Sequence, residues 1–176
     1  MMFDPTYLLF IAPGLLLSLW ASFKTKAAFK KYSKIRVATG LTGAQAAQKM
    51  LESAGIADVK IVPHQGMLSD HYNPLTKTLA LSEPVYGVPS IAAVGVACHE
   101  AGHAIQHQVG YKALGIRSML VPTANIGSSV GYFVMLFGLM LASQKMVLVG
   151  AMLFSMVLLF QVVTLPVEFD ASNRAK

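Results

Sequence analysis

The chain has 176 residues, of which 55% are hydrophobic and 12% charged, with a formal net charge of +6. Soluble domains carry about 25% charge, so this composition excludes an ordinary water-soluble globular protein and points to a chain that meets lipid. The single cysteine, Cys98, excludes an intrachain disulfide and fits a reducing compartment.

In chain order, the first predicted element is the apolar stretch from Tyr7 to Phe23, interrupted by Pro13-Gly14. Membrane helices tolerate such interruptions better than soluble ones. Asp4 is the only charged side chain ahead of it, whereas Lys24, Lys26, Lys30, Lys31, Lys34 and Arg36 follow with no acid among them. That order suits an uncleaved transmembrane anchor over residues 1–24, N-terminus outside and basic flank in the cytoplasm. The cluster carries most of the net charge. It reads as a topology signal in contact with anionic headgroups of a lipid bilayer, with no role for nucleic acid.

Residues 25–118 form the polar middle of the chain. Thr42-Gly-Ala-Gln45 predicts a capping box opening a helix to about Ser53, with Gly55 as its stop. Val59 to Val62 predicts a short strand ended by Pro63. After the turn-rich stretch from His64 to Pro74, Lys77 to Ser82 alternates as a second strand. Glu83 to Pro89 reads as a loop, and Ser90 as the cap of a helix running to about Val109. One helix, two or more strands and a second helix make a compact α+β unit. Fewer than about 100 residues is thin for an independent core, so this unit is expected to rest on the membrane segments or on another subunit.

The second helix carries His99-Glu-Ala-Gly-His103. Histidines four residues apart on a helix lie one turn above each other, so both rings reach one cation, and the neighbouring glutamate can touch a water held there. Three ionisable groups within five residues of an apolar helix are hard to explain by packing alone. Gly102 costs about 1 kcal/mol relative to alanine in a helix, which suggests that something approaches closely there. Cys98 faces about 100° away from His99 and reads as a small buried hydrophobe.

Between Arg117 and Glu168 the only charged side chain is Lys145. Val121 to Ala142 and Met146 to Val167 are each long enough to cross about 30 Å of hydrocarbon, with Ser143-Gln-Lys145 as the turn. The transmembrane hairpin, residues 119–167, leaves and returns, so residues 168–176 emerge on the same side as the two-histidine helix. About three transmembrane helices result. Gly127 and Gly131, a small-xxx-small pair, could serve as an oligomerisation face or pack within the hairpin.

A catalytic zinc takes three protein ligands and leaves a position for water. Beyond His99 and His103, the candidates are His107, His71, His64, Glu168 and Asp170. His107 lies about 12 Å along the helix from His99, too far for one ion, and reads as an interfacial or surface residue. Glu168 is favoured: it opens Glu-Phe-Asp-Ala-Ser-Asn-Arg, which reads as the start of a helix after Pro166, where a carboxylate sits well at the positive dipole end.

Asp70-His-Tyr-Asn-Pro74, Lys77 to Ser82, Ala97 to His107 and Leu165 to Arg174 together resemble the YugP-type membrane zinc metallopeptidases of bacteria. More distantly, the chain is similar to the HtpX and CAAX-prenyl-protease families. The resemblance spans nearly the whole chain. It implies a zincin-like catalytic domain in a multi-pass protein of the bacterial cell membrane, with His99, His103 and Glu168 as Zn²⁺ ligands and Glu100 as general base. Two departures stand out. The distant relatives carry an acid four residues after the third ligand, where this chain has Ser172, leaving the partner of the ligand histidines unassigned. The family also tends to continue with further helical sequence, so the present residues read as a shortened form.

The expected reaction is zinc-dependent endopeptidase cleavage of a peptide or protein substrate, facing the cytoplasm. His71, Tyr72 and Arg174 are candidate donors to the oxyanion or substrate, and the strand Lys77 to Ser82 could bind extended substrate along its edge. The competing reading is a non-catalytic membrane scaffold with a structural metal, alone, as a homo-oligomer or with a partner membrane protein. Glu100 argues against it, because a structural site has no use for a carboxylate beside a ligand.

Overall fold

The computed structural model describes the backbone from Pro5 to Lys176, and side chains at Leu9 and from Ala12 onward. The expectation for residues 1–4, and for the side chains of Tyr7, Leu8, Phe10 and Ile11 in the anchor, lies outside the described residues. Helix α1 (Pro5–Tyr32) runs through Pro13 and carries Lys24 to Lys31 on its last turns. Its last part reaches the polar unit, where Phe29 packs against the core.

Helix α2 (Gly43–Ser53) starts at a capping box: Gln45 N–H donates to Thr42 Oγ1, and Thr42 N–H to Gln45 Oε1 at 3.0 Å. It ends where Gly55 takes a φ of +72°, a backbone turn that glycine adopts without strain. Three strands follow, β1 (Lys60–His64), β2 (His71–Asn73) and β3 (Thr78–Ser82), in the order β1-β3-β2. β1 is parallel to β3, and β2 antiparallel. Pro63 lies within β1 instead of ending it, because an edge strand can turn the missing N–H outward. β2 was not expected; its three residues are too few for alternation to register. The turn after it puts Lys77 at a φ of +49°, so β3 begins one residue later than its alternation suggested.

The short helix α3 (Glu83–Tyr86) occupies the expected loop, and Ser90 caps helix α4 (Ile91–Gln108) by accepting from Ala93 N–H. Leu79 and Leu81 of β3 are fully buried against Ala47 and Leu51 of α2 and Ala97, Ala101 and Ala104 of α4. Alanines along α4 let the sheet and α2 approach closely. The result is mostly helical with one small sheet, and β3 is central. That placement corrects the expectation that β3 offers a free edge to substrate: both its sides are paired, and the open edges belong to β1 and β2, of which β2 adjoins Glu100.

Helix α5 (Lys112–Met140) turns at Ala142, with a φ of +49°, into α6 (Gln144–Phe154), which continues past Ser155 as α7 (Met156–Arg174). Among the described residues, the 29-residue α5 and the 31-residue stretch from Gln144 to Arg174 are long and apolar enough to cross a membrane. Their side chains stay largely outside the protein interior, with Phe137 53% and Leu139 68% exposed, unlike a core helix in water. The hairpin is held by glycines. A Cβ on Gly131 would fall 2.6 Å from Phe154 N, and one on Gly127 2.9 Å from Leu153 O. This small-residue face is therefore filled within the chain, which corrects its reading as an oligomerisation face. Pro166 sits inside α7 and does not start a helix, so Glu168 lies towards the C-terminal part of a long helix, away from any positive dipole end.

Candidate metal centre

Helix α7 crosses α4 at Gly102. A Cβ there would lie 2.6 Å from Ala171 O, inside the backbone of the other helix. The glycine is the close approach its sequence context suggested, and it lets Glu168 reach the histidines. Glu168 Oε2 lies 3.1 Å from His99 Nε2 and 3.5 Å from His103 Nε2. Among the described residues these three side chains form a group able to hold a metal ion, with ligand atoms within 4.8 Å of one another.

The far ring nitrogens are also held. Buried Gln106 donates from Nε2 to Val167 O and to Asp170 Oδ2, both at 2.8 Å. Those two acceptors fix the amide, so Oε1 must accept the bond from His103 Nδ1 at 3.0 Å. The proton therefore sits on Nδ1, and His103 turns the lone pair of Nε2 towards Glu168 Oε2, itself an acceptor. Facing acceptors need a positive charge between them, which either a second proton on Nε2 or a metal ion supplies. On His99, Nδ1 lies 3.1 Å from Ser172 Oγ. Ser172 thus stands where the distant relatives have an acid and contacts the ring directly, and Asp170 acts one step removed through Gln106. The donor set, two imidazoles and one carboxylate with their outer atoms tethered, is that of a zinc site with an open position. Burial opposes charge on His103, but Glu168 and Gln106 outweigh it and hold its pKa above the usual histidine value.

Glu100 is mostly buried beside this group and accepts a 3.1 Å bond from the backbone N–H of Tyr72. Burial raises its pKa above the ordinary carboxylate value, although His103 and His99 pull the other way. Tyr72 spans two turns of α4, since its hydroxyl lies 2.9 Å from His107 Nδ1. His107 is exposed and no part of the ligand group. Asp70 accepts from Ser82 N–H at 2.7 Å and from Ser82 Oγ, anchoring the strand next to Glu100. Cys98 is half-buried, and burial raises its thiol pKa; it stands outside the ligand group.

A cleft of about 540 Å³ opens between β2 and α5, walled by His71, Tyr72, Glu100, His103, Arg117 and Glu168. A second hollow continues on the other side of Glu100 and His99, past Thr25, Gly95 and Ser172. His71 and Tyr72 thus line the cleft, but His71 Nδ1 donates to Ser69 O. Arg174 is turned away from the cleft, with Nε bonded to Asp170 Oδ2 at 2.6 Å. The arginine in the cleft is Arg117, which the sequence reading passed over as merely the last charge before the hairpin. Its Nη2 is 3.7 Å from Glu168 Oε1. The available signal was pairing: the charges that bracket one apolar hairpin come out side by side.

The family described as "Putative neutral zinc metallopeptidase" matches residues 7–176. The chain is 48% identical over 160 residues, 91% of its length and 71% of the relative's, to "Putative membrane protease YugP" of Bacillus subtilis (strain 168). The chain belongs to this family. No solved structure matches it. Family membership agrees with the resemblance carried by the two-histidine helix and the Leu165–Arg174 stretch, and it implies zinc, which the His99, His103 and Glu168 group is suited to hold.

Proposed function

We propose that the protein is a membrane-bound zinc-dependent endopeptidase. The observation that carries the reading is the union of α4 and α7 at one point, two imidazole rings and a carboxylate oxygen with a mostly buried carboxylate beside them. In this reading residues 1–24 anchor a zincin-like catalytic unit of residues 25–118, and residues 119–167 form a transmembrane hairpin that returns the third ligand to the same side. The basic run from Lys24 to Arg36, after the apolar part of α1, supports a cytoplasmic site, and the membrane protease relative supports a place in the bacterial cell membrane.

His99, His103 and Glu168 would hold the zinc. When bound, zinc supplies the Lewis acidity that acidifies water near neutral pH and polarises a carbonyl. Glu100 takes a proton from the attacking water as its oxygen bonds to the peptide carbon and the carbonyl π pair moves onto oxygen. When the C–N bond breaks, Glu100 returns that proton to the leaving amine. The free edge of β2 supports an extended substrate, because it is the unpaired side of the sheet next to Glu100.

Replacing Glu100 by Gln tests this. The expected result is loss of peptide cleavage by the detergent-purified, zinc-loaded chain with about one zinc per chain retained. Undiminished cleavage by Glu100→Gln ends the assignment. Zinc binding without cleavage by the natural chain would leave a non-catalytic scaffold.

A further inference from the structure

The guanidinium of Arg117 stands in the cleft without the bonds such a group ordinarily makes. Among the described residues it donates no hydrogen bond, its Nε is buried with no partner, and its charge contact is Glu168 Oε1 at 3.7 Å. Guanidinium has five N–H donors in a rigid fork suited to anions. The buried Nε is left without a partner, and the Nη groups, which make no hydrogen bond among the described residues, are free to meet a further anion in the cleft. The wall that Arg117 shares with Glu100 and His103 is where peptide hydrolysis would create one.

Glu168 divides its two oxygens: Oε2 faces the imidazoles and Oε1 faces Arg117. The arginine is therefore beside the ligand group without occupying it. Arg117 lines the same cleft as Glu100 and His103, so it sits beside the bond that Glu100 would help to cut.

We infer that Arg117 is a catalytic residue that donates to the carbonyl oxygen as it becomes an oxyanion, with Glu168 Oε1 holding the fork in place. The inference rests on the peptidase reading above. As water adds, the carbonyl π pair becomes a full charge on oxygen, and a donor aimed at that charge is worth more in the transition state than in the ground state.

The test compares the natural chain with Arg117→Met and Arg117→Lys, each purified whole and loaded with zinc. Expected for Arg117→Met is retained zinc, kcat down about 10²–10³-fold and KM within a few-fold. Affinity for a phosphinic peptide, a stable tetrahedral anion, should fall by a similar factor, and Arg117→Lys should recover part of both. Affinity of the intact peptide for Glu100→Gln should not change when Arg117→Met is added. Unchanged phosphinic-peptide affinity, an equal loss confined to KM, or loss of zinc from Arg117→Met would overturn the role. A natural chain that binds zinc yet cleaves nothing would instead sink the peptidase reading, and this inference with it.

Discussion

Gln106 fixes which ring nitrogen of His103, a proposed zinc ligand, carries the proton. Its amide spends both N–H donors on Val167 O and Asp170, leaving only an acceptor for His103. Gln106→Leu removes that acceptor and strands two others, so zinc affinity is expected to fall about 10–100-fold, read by competition with a chromophoric chelator. Acid acts on the same ring. A protonated histidine cannot ligate, and the pKa of His103 is raised, so competition by protons begins at higher pH than for an ordinary histidine. Zinc affinity should weaken by about tenfold for each pH unit below that pKa from this proton alone. Affinity that stays flat to pH 5 would contradict the assignment. At this scale the sequence was legible where spacing encodes geometry, as in His99 and His103. Gln106, Ser172 and Arg117 were not, because their partners lie 61 to 73 residues away for the first two and across the hairpin for the third.

The crossing of α4 and α7 has no room for a methyl group. Gly102→Ala puts a Cβ 2.6 Å from the Ala171 carbonyl oxygen, which is backbone and cannot swing aside. Either α7 moves away, taking Glu168 with it, or the helices separate. The expected outcome is a lower Tm together with zinc affinity reduced at least tenfold, whereas Gly95→Ala, which meets nothing within 4 Å, should leave zinc affinity unchanged and raise Tm slightly through helix propensity. Equal behaviour of the two variants would show that the crossing is looser than drawn. Element existence was readable from capping and periodicity: Thr42 and Gln45, Ser90 and the apolar run of α4 behave as their local chemistry dictates. Pairing order was less so. Nothing in Lys77 to Ser82 distinguishes a central strand from an edge, because its partners are set by the three-residue β2 and by the parallel return of β1. Pro166 misled because proline suits both a helix start and a tolerated position inside an apolar helix.

The whole molecule joins a small polar unit to an apolar hairpin through its site. Fewer charges than a soluble protein needs, and a sheet of three short strands, leave the polar unit dependent on α7 for one side of its centre. The turn at Ala142 is the far end of the hairpin from Arg117 and Glu168, about 40 Å of helix away at 1.5 Å per residue. In intact membranes, a cysteine at Ala142 in a Cys98→Ser background should therefore react with an impermeant thiol reagent from the side opposite to a cysteine at Lys176. Labelling of both from one side would refute the proposed topology. The claim beneath all of this is that α4 and α7 share one zinc ion. Competitive chelator titration of the detergent-purified chain against Glu168→Ala tests it most directly. The expected result is about one tightly held zinc per chain, weakened at least about 100-fold in the variant on loss of one of three ligands; equal affinity in both would contradict it.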